Sequence, residues 1–110
     1  MGLLSQDAAI PEAKLTQYLL ISLPKDDKSK FLEKAAYTLD NWKKLEEDLR
    51  TQVLSQPAEL IETNKYGQKY CIRTTLTGEN GVALNVKTIW MVTPKATRFV
   101  TLVPDKGESS

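Results

Sequence analysis

The residues of this chain best suited to chemistry are cations spaced two or four positions apart. Lys69, Arg73, Thr75, Asn85 and Lys87 occupy odd-numbered positions in two stretches of alternating polarity, so in extended chain they share one face. Lys65 and Arg98 lie near the ends of that face. Cations gathered in this way can neutralise charge developing on phosphoryl oxygens, and a hydroxyl beside them can orient a phosphate. Arg73, Lys87 and Thr88 are therefore candidate catalytic residues, Lys28 of a separate basic cluster is a fourth, and Lys65, Tyr66, Lys69, Arg73, Lys87 and Arg98 are the candidate nucleic-acid-binding set. A turn tyrosine between Lys65 and Lys69 can stack on a base or donate to a phosphate; as a turn aromatic it can equally cover the edge of a sheet. Lys25, Lys28, Lys30 and Lys34 form a second basic cluster, diluted by Asp26, Asp27 and Glu33.

The charge distribution carries more information than its total. The 110 residues hold 15 basic and 14 acidic side chains, a net charge of +1. From Asn64 to Val103 there are six basic residues and one acid, Glu79, whereas the first 56 residues hold eight basic and nine acidic ones. Segregation of this kind suggests an anionic partner, of which phosphate is the commonest. A plain solvated sheet face would also carry lysine, arginine and threonine.

There is no histidine. Its absence removes Ser-His-Asp and Cys-His nucleophile activation, histidine-ligated zinc and histidine pH switching. Proton transfer would fall to a lysine of lowered pKa or to a glutamate such as Glu62 or Glu79. Cys71 lies mid-strand without a base nearby in sequence and reads as an inert thiol. Glu46, Glu47 and Asp48 are consecutive on a helix, point in different directions and make a poor metal site. Neither a metal nor a cofactor is expected, and no phosphate-binding glycine loop or zinc spacing is present.

The elements that must position these residues follow from periodicity. Pro11 suits a first helical position and opens a helix to about Ser22, which Leu23-Pro24 ends. Asp26 or Asp27 caps a second short helix through Ala35. Thr38 caps a third, in which Leu39, Trp42, Leu45, Leu49 and Val53 form one apolar stripe and Lys43, Lys44, Glu46, Glu47, Asp48 and Arg50 a solvated face. Beyond Pro57 the period becomes two. Strands are expected over Leu60 to Thr63, Lys69 to Leu76, Val82 to Val92 and Arg98 to Val103, with a hairpin turn at Thr77-Gly78-Glu79-Asn80-Gly81. The fold class is thus α+β: three N-terminal helices packed on one face of a four-stranded antiparallel meander. A single domain is expected over residues 8–103, with frayed ends at 1–7 and 104–110. One cysteine, no long apolar run and no signal-peptide pattern point to a cytoplasmic chain.

An ordered series of short motifs adds a resemblance. It comprises Pro11-Glu12-Ala13-Lys14-Leu15 with Tyr18-Leu19-Leu20, Lys28-Ser29-Lys30-Phe31, Tyr37-Thr38 with Asn41, Lys65-Tyr66-Gly67-Gln68-Lys69-Tyr70, Leu76 to Gly81, and Val86-Lys87-Thr88 with Trp90. Over roughly Ala8 to Val103 the chain resembles a small bacterial domain of unknown function. That family is free-standing in cyanobacteria and archaea and also forms the C-terminal module of contact-dependent-inhibition toxins. The resemblance implies a helices-then-sheet fold similar to the barnase, EndoU, colicin and RelE ribonucleases. It also implies that Lys28, Lys30, Tyr66, Lys87, Thr88 and Trp90 are signature positions, and that the activity, if present, is metal-independent RNA transesterification. Two departures stand out. Leu23-Pro24-Lys25-Asp26-Asp27 replaces a His-Pro-containing, glycine-rich loop, and Ala35-Ala36 replaces Leu-Gly. The rival expectation is a non-enzymatic protein-interaction module, favoured by Ile89 and Met91 beside Lys87 on the wet face.

Overall fold

The structure, a computed structural model, describes residues 4, 7–20 and 29–105. Helix α1, Glu12–Lys14, runs on through a wider turn over Leu15–Leu19, in which Leu20 N–H reaches back five residues to the Leu15 carbonyl at 2.9 Å. Helix α2 is Ser29–Glu33. Helix α3, Trp42–Asp48, follows a 3-10 turn at Leu39–Asn41 and ends in a second wide turn over Leu49–Val53. The remainder of the expected first helix and the Asp26 and Asp27 caps lie outside the described residues. The Thr38 cap is present: Asn41 Oδ1 accepts the Thr38 backbone N–H at 2.7 Å, which makes a capping box.

Strands β1 (Glu59–Asn64), β2 (Gly67–Thr77), β3 (Ala83–Val92) and β4 (Thr97–Pro104) form an antiparallel sheet of order β1-β2-β3-β4. The fold class is α+β. Between β2 and β3 the hairpin closes through Gly78 N–H to the Val82 carbonyl at 3.0 Å, with Gly81 at φ +85°, a backbone that favours glycine. Bulges interrupt the register between Leu60 and Glu62 and again opposite Ile89 and Trp90.

One apolar cluster joins the helical segments to one sheet face. Leu15, Leu19, Leu32, Leu45, Leu49 and Val53 meet Ile72, Leu76, Val86, Trp90, Phe99 and Leu102, all essentially without solvent exposure. Trp90 and Phe99, directly opposite on β3 and β4, pack edge to face at 5.2 Å between ring centroids. The α3 stripe departs from expectation at its start, where Leu39 is 45% exposed because it sits in the 3-10 turn ahead of the helix. Asp48, expected on the solvated face, is 3% exposed; Tyr37, eleven residues earlier, reaches it from the end of α2.

The α2 terminus explains that reach. Ala36 N–H bonds the Glu33 carbonyl and Tyr37 N–H the Leu32 carbonyl, the two bonds of a Schellman motif. The motif requires a left-handed residue, and Ala36 at φ +68° supplies it. Gly78 packs against this turn so closely that a methyl group on it would overlap the Ala35 carbonyl.

Candidate nucleic-acid interface

The register fixes which side chains share the outer face. Arg73 pairs with Lys87, Thr75 with Asn85, Cys71 with both Ile89 and Glu59, and Lys69 with both Met91 and Glu62. On the far side of β3, Met91 pairs with Arg98, Ile89 with Thr101 and Lys87 with Val103. Arg73 and Lys87 are therefore like charges directly opposite each other, an arrangement that is unfavourable unless an anion accompanies it. Asp105 supplies part of that charge, with Oδ2 3.8 Å from Arg73 Nε. Thr75 Oγ1 donates to Asn85 Oδ1 at 3.3 Å in the next row, which orients a hydroxyl and an amide beside the two cations.

The expected site residues divide into groups. Arg73 and Lys87 form the central pair. Lys69 lies four residues away along β2, roughly 13 Å at strand rise, and is engaged by Glu62 at 3.7 Å. Arg98 shares the Lys69 and Met91 row but also lines a groove against α1. Lys65 and Tyr66 form the β1–β2 turn. Asn64 Oδ1 accepts the N–H groups of Tyr66 at 2.8 Å and Gly67 at 3.2 Å, which holds Tyr66 out 70% exposed with Lys65 Nζ 5.3 Å from its ring centroid. A cavity of about 450 Å³ opens beside this turn.

Thr88 does not join the group. It points to the opposite, core side, is fully buried, accepts the Trp90 indole N–H at 2.8 Å and donates to the Ile72 carbonyl at 3.3 Å. The alternation that brings Lys87 outward turns its neighbour inward, so no phosphate reaches that hydroxyl. Lys28, with Lys25, lies outside the described residues. Lys30 is exposed on α2.

Of the acids on this face, sequence reading named Glu62 as a possible base and missed Glu59 and Asp105. Glu59 and Glu62 on β1 precede the basic window, and Asp105 follows it. The face thus carries four cations (Lys69, Arg73, Lys87, Arg98) and three carboxylates, a net +1. Asp105 also shows that the end of the sheet is tied down: β4 continues to Pro104, and Asp105 N–H bonds the Asn85 carbonyl at 2.9 Å, where a frayed tail was expected. The signal available in sequence was that a strand pairing with Lys87 must continue past Val103.

Cys71 sits among Lys87, Arg73, Glu59 and Asp105 yet is 6% exposed. Burial pushes its thiol up, against the opposing pull of Lys87 and Arg73, so it does not act as a ready nucleophile. Among the described residues, no group of three or more His, Cys, Asp or Glu could hold a metal ion, and no helix is long and apolar enough to cross a membrane.

A family match covers residues 5–106, nearly the whole chain. The chain belongs to the family described as a domain of unknown function, DUF6883. No curated protein and no solved structure matches it.

Proposed function

We propose that this DUF6883 chain is an RNA-interacting domain that holds the phosphodiester backbone on the outer face of its sheet, between Arg73 and Lys87. The carrying observation is the direct cross-strand placement of these two cations, with Arg73 59% exposed and its ion pair to Asp105 long at 3.8 Å. A phosphate oxygen replaces a weak partner there and cancels the repulsion between the cations. Under this reading the helices cover the other sheet face, in the layout of the barnase, EndoU and RelE ribonucleases. In the catalytic form of the proposal the 2′-hydroxyl gives up its proton and attacks phosphorus. The P–O5′ bond breaks to leave a 2′,3′-cyclic phosphate and a 5′-hydroxyl that takes the proton back, and Arg73 and Lys87 stabilise the charge on the phosphoryl oxygens. Asp105, rather than Glu62 or Glu79, then stands beside the clamp as the proton acceptor.

The experiment incubates the protein with total RNA in EDTA and looks for 2′,3′-cyclic phosphate ends, alongside a salt titration of binding to a fluorescent single-stranded RNA. Binding whose log–log salt slope falls by roughly 0.7 for each removed cation in Arg73→Ala and Lys87→Ala supports the phosphate clamp. Cyclic ends that disappear in the same variants establish the enzyme.

A second reading rests on Ile89, Met91 and Val103, half-buried on the same face and rimmed by paired charges. An apolar centre with a charged rim is the anatomy of a protein interface. No RNA binding at low salt would leave that reading standing alone.

A further inference from the structure

The cross-strand pair Arg73 and Lys87 is one end of a longer arrangement on the outer face. Outward rows are two residues apart along each strand, so the row of Lys69, Met91 and Arg98 lies roughly 13 Å from that pair. The row between them holds Glu59, Cys71, Ile89 and Thr101 and carries no cation. Beyond Lys69 the strand begins at Gly67, about 20 Å from Arg73 at strand rise, in the β1–β2 turn.

That turn is pinned, yet it leaves its aromatic ring in solvent. Asn64 Oδ1 accepts the Tyr66 and Gly67 N–H groups, and a Cβ at Gly67 would overlap the Val92 carbonyl oxygen. The turn therefore lies hard against the end of β3, and Tyr66 is strongly exposed on a backbone with little freedom to move. The cavity of about 450 Å³ beside it has Val92 and Pro94 as apolar walls and the polar side chains of Asn64, Gln68 and Thr93. An aromatic face beside a cavity of this size, with amide and hydroxyl groups, suits a nucleobase.

Resting on the phosphate clamp proposed above, we infer that its ligand is single-stranded RNA, laid along β2 and β3 from Arg73 and Lys87 to the β1–β2 turn, where an unpaired base stacks on Tyr66. Lys69 and Arg98 take the phosphate backbone at the second row. The Lys69 pairing with Glu62, at 3.7 Å and solvent-reached, is weak enough to exchange for a phosphate. Ile89, half-buried between the two rows, gives the intervening ribose and base an apolar floor. A duplex cannot engage the turn in this way, because its bases are already paired and stacked on one another. Stacking on a ring tolerates any base, so the turn selects strandedness and length rather than sequence.

A fluorescent octanucleotide RNA and a duplex of the same sequence, titrated at low salt, test this. Tyr66→Ala weakens octanucleotide binding about tenfold and leaves duplex binding unchanged, whereas Tyr66→Phe, which keeps the ring face, binds as wild type does. Arg73→Ala in the same titration tests the clamp by itself. Octanucleotide binding that needs Arg73 but is unchanged in Tyr66→Ala overturns the stacked base and leaves the clamp in place. Binding indifferent to Arg73 overturns the clamp and everything laid upon it. A duplex that loses as much affinity as the octanucleotide in Tyr66→Ala, or a Tyr66→Phe variant as weak as Tyr66→Ala, also overturns stacking at the turn.

Discussion

The outer sheet face and the α2–α3 junction both contain paired polar groups, but they pair them in opposite ways. On the face, Lys69 with Glu62 and Arg73 with Asp105 stand at 3.7 and 3.8 Å, between side chains that solvent reaches. At the junction, Tyr37 Oη donates to Asp48 Oδ2 at 2.5 Å, Lys44 Nζ meets Asp48 Oδ1 at 3.2 Å, and the Gln52 amide closes both backbone groups of Thr77 at 2.8 and 2.9 Å. Every buried side-chain polar atom among the described residues has a partner. Exposed pairs contribute little to stability and can exchange partners, whereas a buried pair is costly to break. The junction therefore holds the fold, and the face keeps its charges exchangeable.

Substitutions at the junction should separate the two regions most strongly. Gly78→Ala drives a methyl group into the Ala35 carbonyl, a backbone atom that cannot rotate away. A loss of about 3 kcal/mol is expected in urea unfolding. Tyr37→Phe comes next, at about 2 kcal/mol, because it removes a hydrogen bond to a charged group. Its pH dependence is diagnostic. Burial first, then the Asp48 hydrogen bond and charge, raise the Tyr37 phenol above its ordinary value. The folded state thus prefers the protonated phenol more than the unfolded chain does. This stabilisation is complete below about pH 10 and declines as pH rises beyond it. Urea midpoints of wild type should fall more steeply than those of Tyr37→Phe above that pH; equal slopes would remove Tyr37 from the account.

The junction is also where sequence reading was weakest. Alternation and hairpin signals located β2 and β3 because their faces are set by local period, and the outward set Lys69, Arg73 and Lys87 followed directly. Leu45, Leu49 and Val53 were legible for the same reason. Asp48 was not, since its burial depends on a tyrosine delivered by a left-handed turn eleven residues earlier. Glu59 and Asp105 on the outer face were missed because they come from the start of β1 and from beyond the end of β4, on either side of the basic stretch. Thr88 was drawn into the site by its neighbour, although its own position in the alternation placed it in the core.

A third substitution should stabilise. Ala36 holds a left-handed backbone at φ +68°, a conformation that favours glycine. Ala36→Gly relieves a cost of roughly 1–2 kcal/mol and adds unfolded-state entropy of somewhat less, for a net gain of about 0.5–1 kcal/mol. A rise in Tm of a few degrees is expected by calorimetry. A lower Tm would mean that the Ala36 methyl group packs more favourably than the turn geometry suggests.

The smallest stability effect belongs to the outer face, and it is the one that bears on function. Arg73→Ala removes an ion pair of 3.8 Å from a side chain that is 59% exposed, so unfolding free energy should change by no more than about 0.5 kcal/mol. The same substitution removes one of the two opposed cations proposed to hold phosphate, and RNA affinity at low salt should fall several-fold while the fold is unmoved. The double variant Arg73→Ala with Asp105→Asn distinguishes clamp from scaffold. If Asp105 serves mainly to hold Arg73, its loss adds nothing once Arg73 is gone. If Asp105 is the proton acceptor, Asp105→Asn alone leaves binding intact and abolishes cyclic-phosphate ends. A large stability loss in Arg73→Ala would instead make the outer face part of the scaffold, and the contrast between the two regions would collapse.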